Sequence, residues 1–154
     1  MRTYEMALLL HLLGAMLFVS GIVLAGMTFE VARRARTPAE VALMLGLARI
    51  GVLLVAVGGI LLPVFGLWLV HLGGWGYGSG WVDEAIVLYV LALALGGLGG
   101  RRPKQARKLA SRLAGEGSEI SSELRGLLDD RISRAANYLS SLLMLAIIAL
   151  MVFK

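Results

Sequence analysis

MALLLHLLGAMLFVSGIVLAGMTF, residues 6–29, carries no charge, and one ionisable side chain, His11, lies inside it. At ~1.5 Å per residue, a helix of this length crosses a hydrocarbon core of roughly 30 Å. Charge returns at Glu30, Arg33, Arg34 and Arg36. The run is too long for the apolar region of a signal peptide and lacks a small-x-small cleavage site, so it reads as a retained span. The whole chain agrees with this reading. Its 154 residues are 58% hydrophobic and 16% charged, with a mean hydropathy of +0.82. The expected fold is all-α, a polytopic membrane protein built as one four-transmembrane-helix bundle.

The remaining spans follow outward from the first. Thr37-Pro38-Ala39-Glu40 reads as a capping box with proline at the first helical position, so a second helix starts near Pro38. Its apolar part covers residues 50–70 and contains Pro63, which removes a backbone donor and predicts a kink. A glycine-rich loop with Trp75, Tyr77 and Trp81 suits the headgroup level. It lacks the preceding strand and the following lysine of a phosphate-binding loop. A third span covers residues 85–100 behind Asp83 and Glu84, and a fourth covers residues 135–153.

Between them, residues 101–134 form a basic amphipathic segment with Leu109 and Leu113 on one side. Arg101, Arg102, Lys104, Arg107, Lys108 and Arg112 are expected to bind anionic lipid headgroups while the helix lies on the leaflet. Ser118 is a candidate cap for a helix through Ile120, Leu124, Leu127, Leu128 and Ile132 that runs unbroken into the last span. The net charge of +5 belongs to connections beside apolar spans, which points to the lipid bilayer and away from nucleic acid. Lysine and arginine fill the first and third connections and are absent from the second, so both termini are expected outside the cytoplasm.

Ala7, Gly14, Gly21 and Thr28 recur every seven residues, as do Gly59, Gly66 and Gly73, and Gly96 with Gly100 forms a small-xxx-small pair. Such stripes let helix backbones approach, within a bundle, a homo-oligomer or a complex with another membrane protein. His11 borders the first stripe. If the turn pairs Val31 with about Gly46, His11 is level with about residue 66 and His71 lies ~7 to 8 Å further along the axis. With axes ~8 to 10 Å apart, the two imidazoles are placed to flank a cofactor, for which haem b is the candidate. Met6 and Met16 beside His11 keep a His/Met ligand pair or a copper site open. The competing reading makes His11 a hydrogen-bonded packing residue, His71 an interfacial one, and the methionines filler.

Glu30 and Arg49 are expected to pair across the first turn. Absence of cysteine excludes thiolate chemistry and disulfides. With no HExxH, Walker loop or serine elbow, hydrolytic and nucleotide-driven enzymes find no support, and any enzyme would be a membrane oxidoreductase.

Leu10-His11-Leu12-Leu13-Gly14-Ala15-Met16-Leu17-Phe18-Val19-Ser20-Gly21, with Gly66-Leu67-Trp68-Leu69, resembles the signature of small bacterial four-span integral membrane proteins of unassigned function. More distantly it is similar to the copper-resistance CopD-type domain and to HemJ-type protoporphyrinogen oxidases. The resemblance implies a bacterial plasma (inner) membrane protein in which His11 is a haem or metal ligand. HemJ-type proteins also use an intramembrane lysine, and no span here contains one, so their activity does not carry over. Haem or metal binding in membrane electron transfer is therefore the first expectation. A membrane assembly partner or transporter accessory is the second, and a small-solute or proton carrier the third.

Overall fold

The computed structural model describes residues 2–78 and 80–153. They form six helices: α1 (Arg2–Arg34), α2 (Pro38–Leu72), α3 (Gly80–Gly99), α4 (Arg101–Gly115), α5 (Ser122–Leu128) and α6 (Arg131–Phe153). No strand occurs among the described residues. Four stretches are long and apolar enough to cross a membrane: α1, α2, α3 with its continuation into α4, and α5 with α6.

The start of α2 is the capping box expected from local sequence. Glu40 N donates to Thr37 Oγ1 at 3.2 Å, and Glu40 Oε2 accepts from Thr37 N at 3.2 Å and from Arg36 N at 2.9 Å. The helix then runs through Pro63 and stops at a left-handed glycine, Gly74, with φ +70. There Trp75 N reaches Val70 O and Gly74 N reaches His71 O, so the last carbonyls are satisfied by the turn itself.

α1 and α2 pack antiparallel, with backbone against backbone. A Cβ added to Gly58 would stand 2.5 Å from Phe18 N and 2.6 Å from Gly14 O, and one on Gly21 would stand 2.5 Å from Gly51 O. The α1 stripe is as expected: Ala7, Gly14, Gly21 and Thr28 are all buried. Its partners on α2 are Gly51 and Gly58, a seven-residue row one position out of phase with the expected row of Gly59 and Gly66. Gly59 and Gly66 do something different, since they make room for rings.

α3 and α6 form the second antiparallel pair. Ser140 Oγ donates to Ala92 O at 2.7 Å, and Ser140 also faces Gly96. The tightest approach is at Gly99, against Asn137 and Ser133, whereas Gly100 is exposed and has only its own helix nearby. Close packing thus uses Gly96 and Gly99 rather than Gly96 and Gly100. The two pairs meet around Phe18, Ala85, Ala92, Met144 and Ile147.

A second core lies beyond the apolar spans, at the basic end. Ala32, Val41 and Leu45 from the ends of α1 and α2 enclose Ala106, Ala110 and Leu113 of α4 and Leu124 and Leu128 of α5. This is a folded cap. The apolar side of α4, expected on the leaflet, is instead packed against protein. α4 also does not turn to lie flat. Gly100 N bonds Gly96 O at 3.0 Å and Lys104 N bonds Gly100 O at 3.3 Å, so the helical path of α3 continues into α4 and away from the apolar belt.

The cap helices differ from expectation in two further details. Ser121, not Ser118, caps α5, accepting from Leu124 N at 3.2 Å. The final helix is broken at Asp129–Asp130, where Asp130 Oδ2 accepts from Ser133 N at 2.8 Å and starts α6.

Candidate functional site

His11 faces α2 at the level of residues 62–66, where the turn geometry placed it. Its Nδ1 lies 3.0 Å from the Leu62 carbonyl oxygen, so Nδ1 carries a proton and donates it. The ring sits in a notch left by Gly66: a Cβ there would stand 3.1 Å from His11 Cε1 and 3.2 Å from Nδ1. A Cβ at 66 presses on the imidazole, which must give by a few tenths of an ångström.

Pro63 sits at the same level and has no N–H, so it leaves the Gly59 carbonyl without its helical donor. The Tyr89 hydroxyl of α3 donates to that carbonyl. Gly59 again supplies the space, because a Cβ there would stand 3.2 Å from Phe18 Cε2 and 3.3 Å from the Tyr89 hydroxyl oxygen. A carbonyl stranded in hydrocarbon costs several kcal/mol, and here a neighbouring helix supplies the missing donor. Tyr89 was missed from sequence, although it is the one polar side chain in residues 85–100 and a proline interrupts the neighbouring span.

The other expected ligands do not join His11. Met6 and Met16 are 57% and 70% exposed on the outer surface of α1, each turned by about 140° from His11. His71 is exposed and stacks on Tyr77, with ring centroids 6.5 Å apart. Along α2 it lies roughly 7 Å beyond Gly66 and about 140° around the helix from it, away from the face that meets α1. α1 and α2 touch through backbone at Gly14 and Gly58, about one turn inward of His11 and on the side away from His71. Among the described residues, no group of three or more His, Asp or Glu converges. Within one chain, neither His71 nor Met6 nor Met16 is brought together with His11.

At the basic end the charges tie the cap to the bundle. Arg33 bridges Glu30 at 2.7 Å and Asp129 at 3.0 Å. Glu30 is therefore held by Arg33 and not by Arg49, which is exposed. Arg125 of α5 donates to Arg33 O at 2.9 Å and to Ala35 O at 2.8 Å, capping the carbonyl end of α1 with a guanidinium. On α4, the buried side is Ala106, Ala110 and Leu113. Arg101, Lys104, Lys108 and Arg112 fall within about 80° of one another on the opposite side, and all four are exposed. Arg102 and Arg107 flank them.

These features define a class first: an all-helical integral membrane protein with four candidate spans and a folded basic cap at one end. The chain belongs to the DUF2269 family, described as predicted integral membrane proteins, whose profile matches residues 5–154. No curated protein and no solved structure matches the chain.

Proposed function

We propose that the chain is a non-catalytic membrane assembly partner, an accessory subunit whose spans anchor a folded basic cap at the cytoplasmic face of a bacterial inner membrane. The observation that carries this reading is the use made of His11. The one ionisable group of the first span is spent on the Leu62 carbonyl, in a notch cut by Gly66, while Met6, Met16 and His71 point elsewhere. An intramembrane histidine marks function by default, and a committed hydrogen bond at a helix contact is the structural use of it. The excess of lysine and arginine in the first and third connections supports a cap on the cytoplasmic side with both termini outside.

The haem reading rests on the resemblance of residues 10–21 to CopD-type and HemJ-type proteins and on one geometric point. A ligating histidine commonly donates its other ring N–H to a backbone carbonyl, as His11 does through Nδ1. A second axial ligand would then have to come from a partner. The carrier reading has few intramembrane polar groups to draw on: His11 and Tyr89 bond α2 carbonyls, and Thr28, Ser140 and Ser141 bond the Leu24, Ala92 and Asn137 carbonyls.

An absorption spectrum of the protein purified from haem-replete cells, oxidised and then reduced with dithionite, separates the first two readings. The accessory reading expects no Soret band, with or without added haem. A Soret band abolished by His11→Ala replaces it with the haem reading. In mildly solubilised membranes the chain should travel in a complex larger than its own 16.4 kDa in a micelle, and migration as a lone monomer under all mild conditions counts against assembly.

A further inference from the structure

We infer that the outward side of α4 is a docking strip for an acidic helix of a soluble partner. The inference rests on the accessory-subunit reading and names the chemistry of the partner. Arg101–Gly115 contains no acidic residue. Arg101, Lys104, Lys108 and Arg112 succeed one another at spacings of three, four and four, so they form a straight line along one side of the helix. The opposite side is consumed by the cap core, which fixes the rotation of α4 and holds the line outward. Arg112 has Glu116 at 3.7 Å with both side chains exposed, a weak and displaceable pair.

The direction of α4 selects between lipid and protein. Because α4 continues α3, the line stands off the membrane: Lys108 lies ~10 Å and Arg112 ~16 Å along the axis beyond Arg101. With Arg101, the first charge after the apolar span, at the headgroup level, those distances exceed the Debye length of about 8 Å at physiological ionic strength, so headgroups engage Arg101 and Lys104 but only weakly the distal pair. A negatively charged rod lying alongside α4 meets all four. An α-helix with Asp or Glu at matching three- and four-residue spacings supplies that charge pattern.

The strip also borders two shallow, open depressions that meet at Leu109, one lined by Arg102, Gln105, Leu109, Glu123, Gly126 and Leu127 and one by Gln105, Lys108, Leu109 and Arg112. Leu109 and Leu127 offer a floor for one aliphatic side chain, and Gly126 leaves the wall low. Glu123 on the far rim repels acidic groups, which places the partner's acidic face on the Lys108 side.

The test uses the full chain in phosphatidylcholine nanodiscs and two fluorescent alanine-based helical peptides of equal composition. One carries glutamates at the matching spacing beside a single leucine, and the other carries the same residues scattered around the helix. The patterned peptide should bind more tightly, lose binding as salt rises from about 0.05 to about 0.5 M, and weaken about tenfold with K108E/R112E. The milder Lys108→Gln with Arg112→Gln should weaken it less, with the thermal unfolding of both variants unchanged. Equal binding of the two peptides, or indifference to K108E/R112E, overturns the strip. If the reversals instead reduce retention only in discs containing anionic phosphatidylglycerol, the line serves lipid and the inference falls. Failure here in a colourless protein that still travels in a larger complex removes the strip alone. A His11-dependent Soret band removes the accessory reading.

Discussion

Replacing Tyr89 with phenylalanine removes one hydroxyl and leaves the ring, and its effect depends on a residue of another helix. In the wild type the Gly59 carbonyl lacks its i+4 donor because that position is Pro63, and the Tyr89 hydroxyl stands in for it. Stranding a buried acceptor costs about 1–3 kcal/mol, while side-chain hydrogen bonds between membrane helices average about 0.6 and reach about 1.7 kcal/mol. Tyr89→Phe should therefore cost about 1.5 kcal/mol, near the upper end, because the freed carbonyl finds no water at this depth. Pro63→Ala restores an N–H four residues after Gly59, and the carbonyl regains a donor from its own helix. In that background Tyr89→Phe should cost no more than about 0.5 kcal/mol, giving a coupling of about 1 kcal/mol between residues on different helices. Reversible denaturation in mixed detergent micelles, run on the four proteins of the cycle, reads this coupling. Additive effects of the two substitutions would show that Tyr89 is packing as an aromatic ring and that its hydroxyl does not replace the proline's missing donor.

Two further substitutions probe the helix contacts and the cap. Gly58→Ala sets a methyl carbon 2.5 Å from Phe18 N, roughly 1 Å inside ordinary contact, and should destabilise the bundle by about 3 kcal/mol in the same denaturation assay. Gly26→Ala, where nothing lies within 4 Å, should stay within about 1 kcal/mol of wild type. Arg125→Ala removes both guanidinium bonds to the end of α1 and should raise hydrogen exchange in Ser122–Leu128 about tenfold or more, leaving the spanning helices unchanged. Arg125→Lys, which cannot reproduce the fork, should fall between the two.

What was legible in the sequence was local or periodic. The capping box at Thr37 and Glu40 needs only four residues to declare itself, and the α1 stripe from Ala7 to Thr28 is buried as its period demands. The level of His11 followed from the short turn between α1 and α2. The phase of α2 was not legible, because Gly51 and Gly58 repeat at the same interval as Gly59 and Gly66, and only packing decides which row meets α1. Tyr89 escaped for a related reason: a proline's cost appears four residues earlier, and its remedy sits on a helix thirty residues away. Amphipathicity announced that α4 had an apolar side without saying what covers it, and the cap core proved to be the cover. The break at Asp129–Asp130 was hidden by an apolar rhythm that runs through it, while the capping acid there was a local signal that periodicity overrode.

His11 can be observed directly, since the chain has two histidines and His71→Gln leaves one. Long-range proton–nitrogen NMR of that variant, labelled at histidine and held in nanodiscs, reports which ring nitrogen bears the proton. The structure predicts a proton on Nδ1, held there when haem or copper is added. Loss or a large shift of the His11 signals on adding either one would contradict a packing role and restore His11 as a ligand.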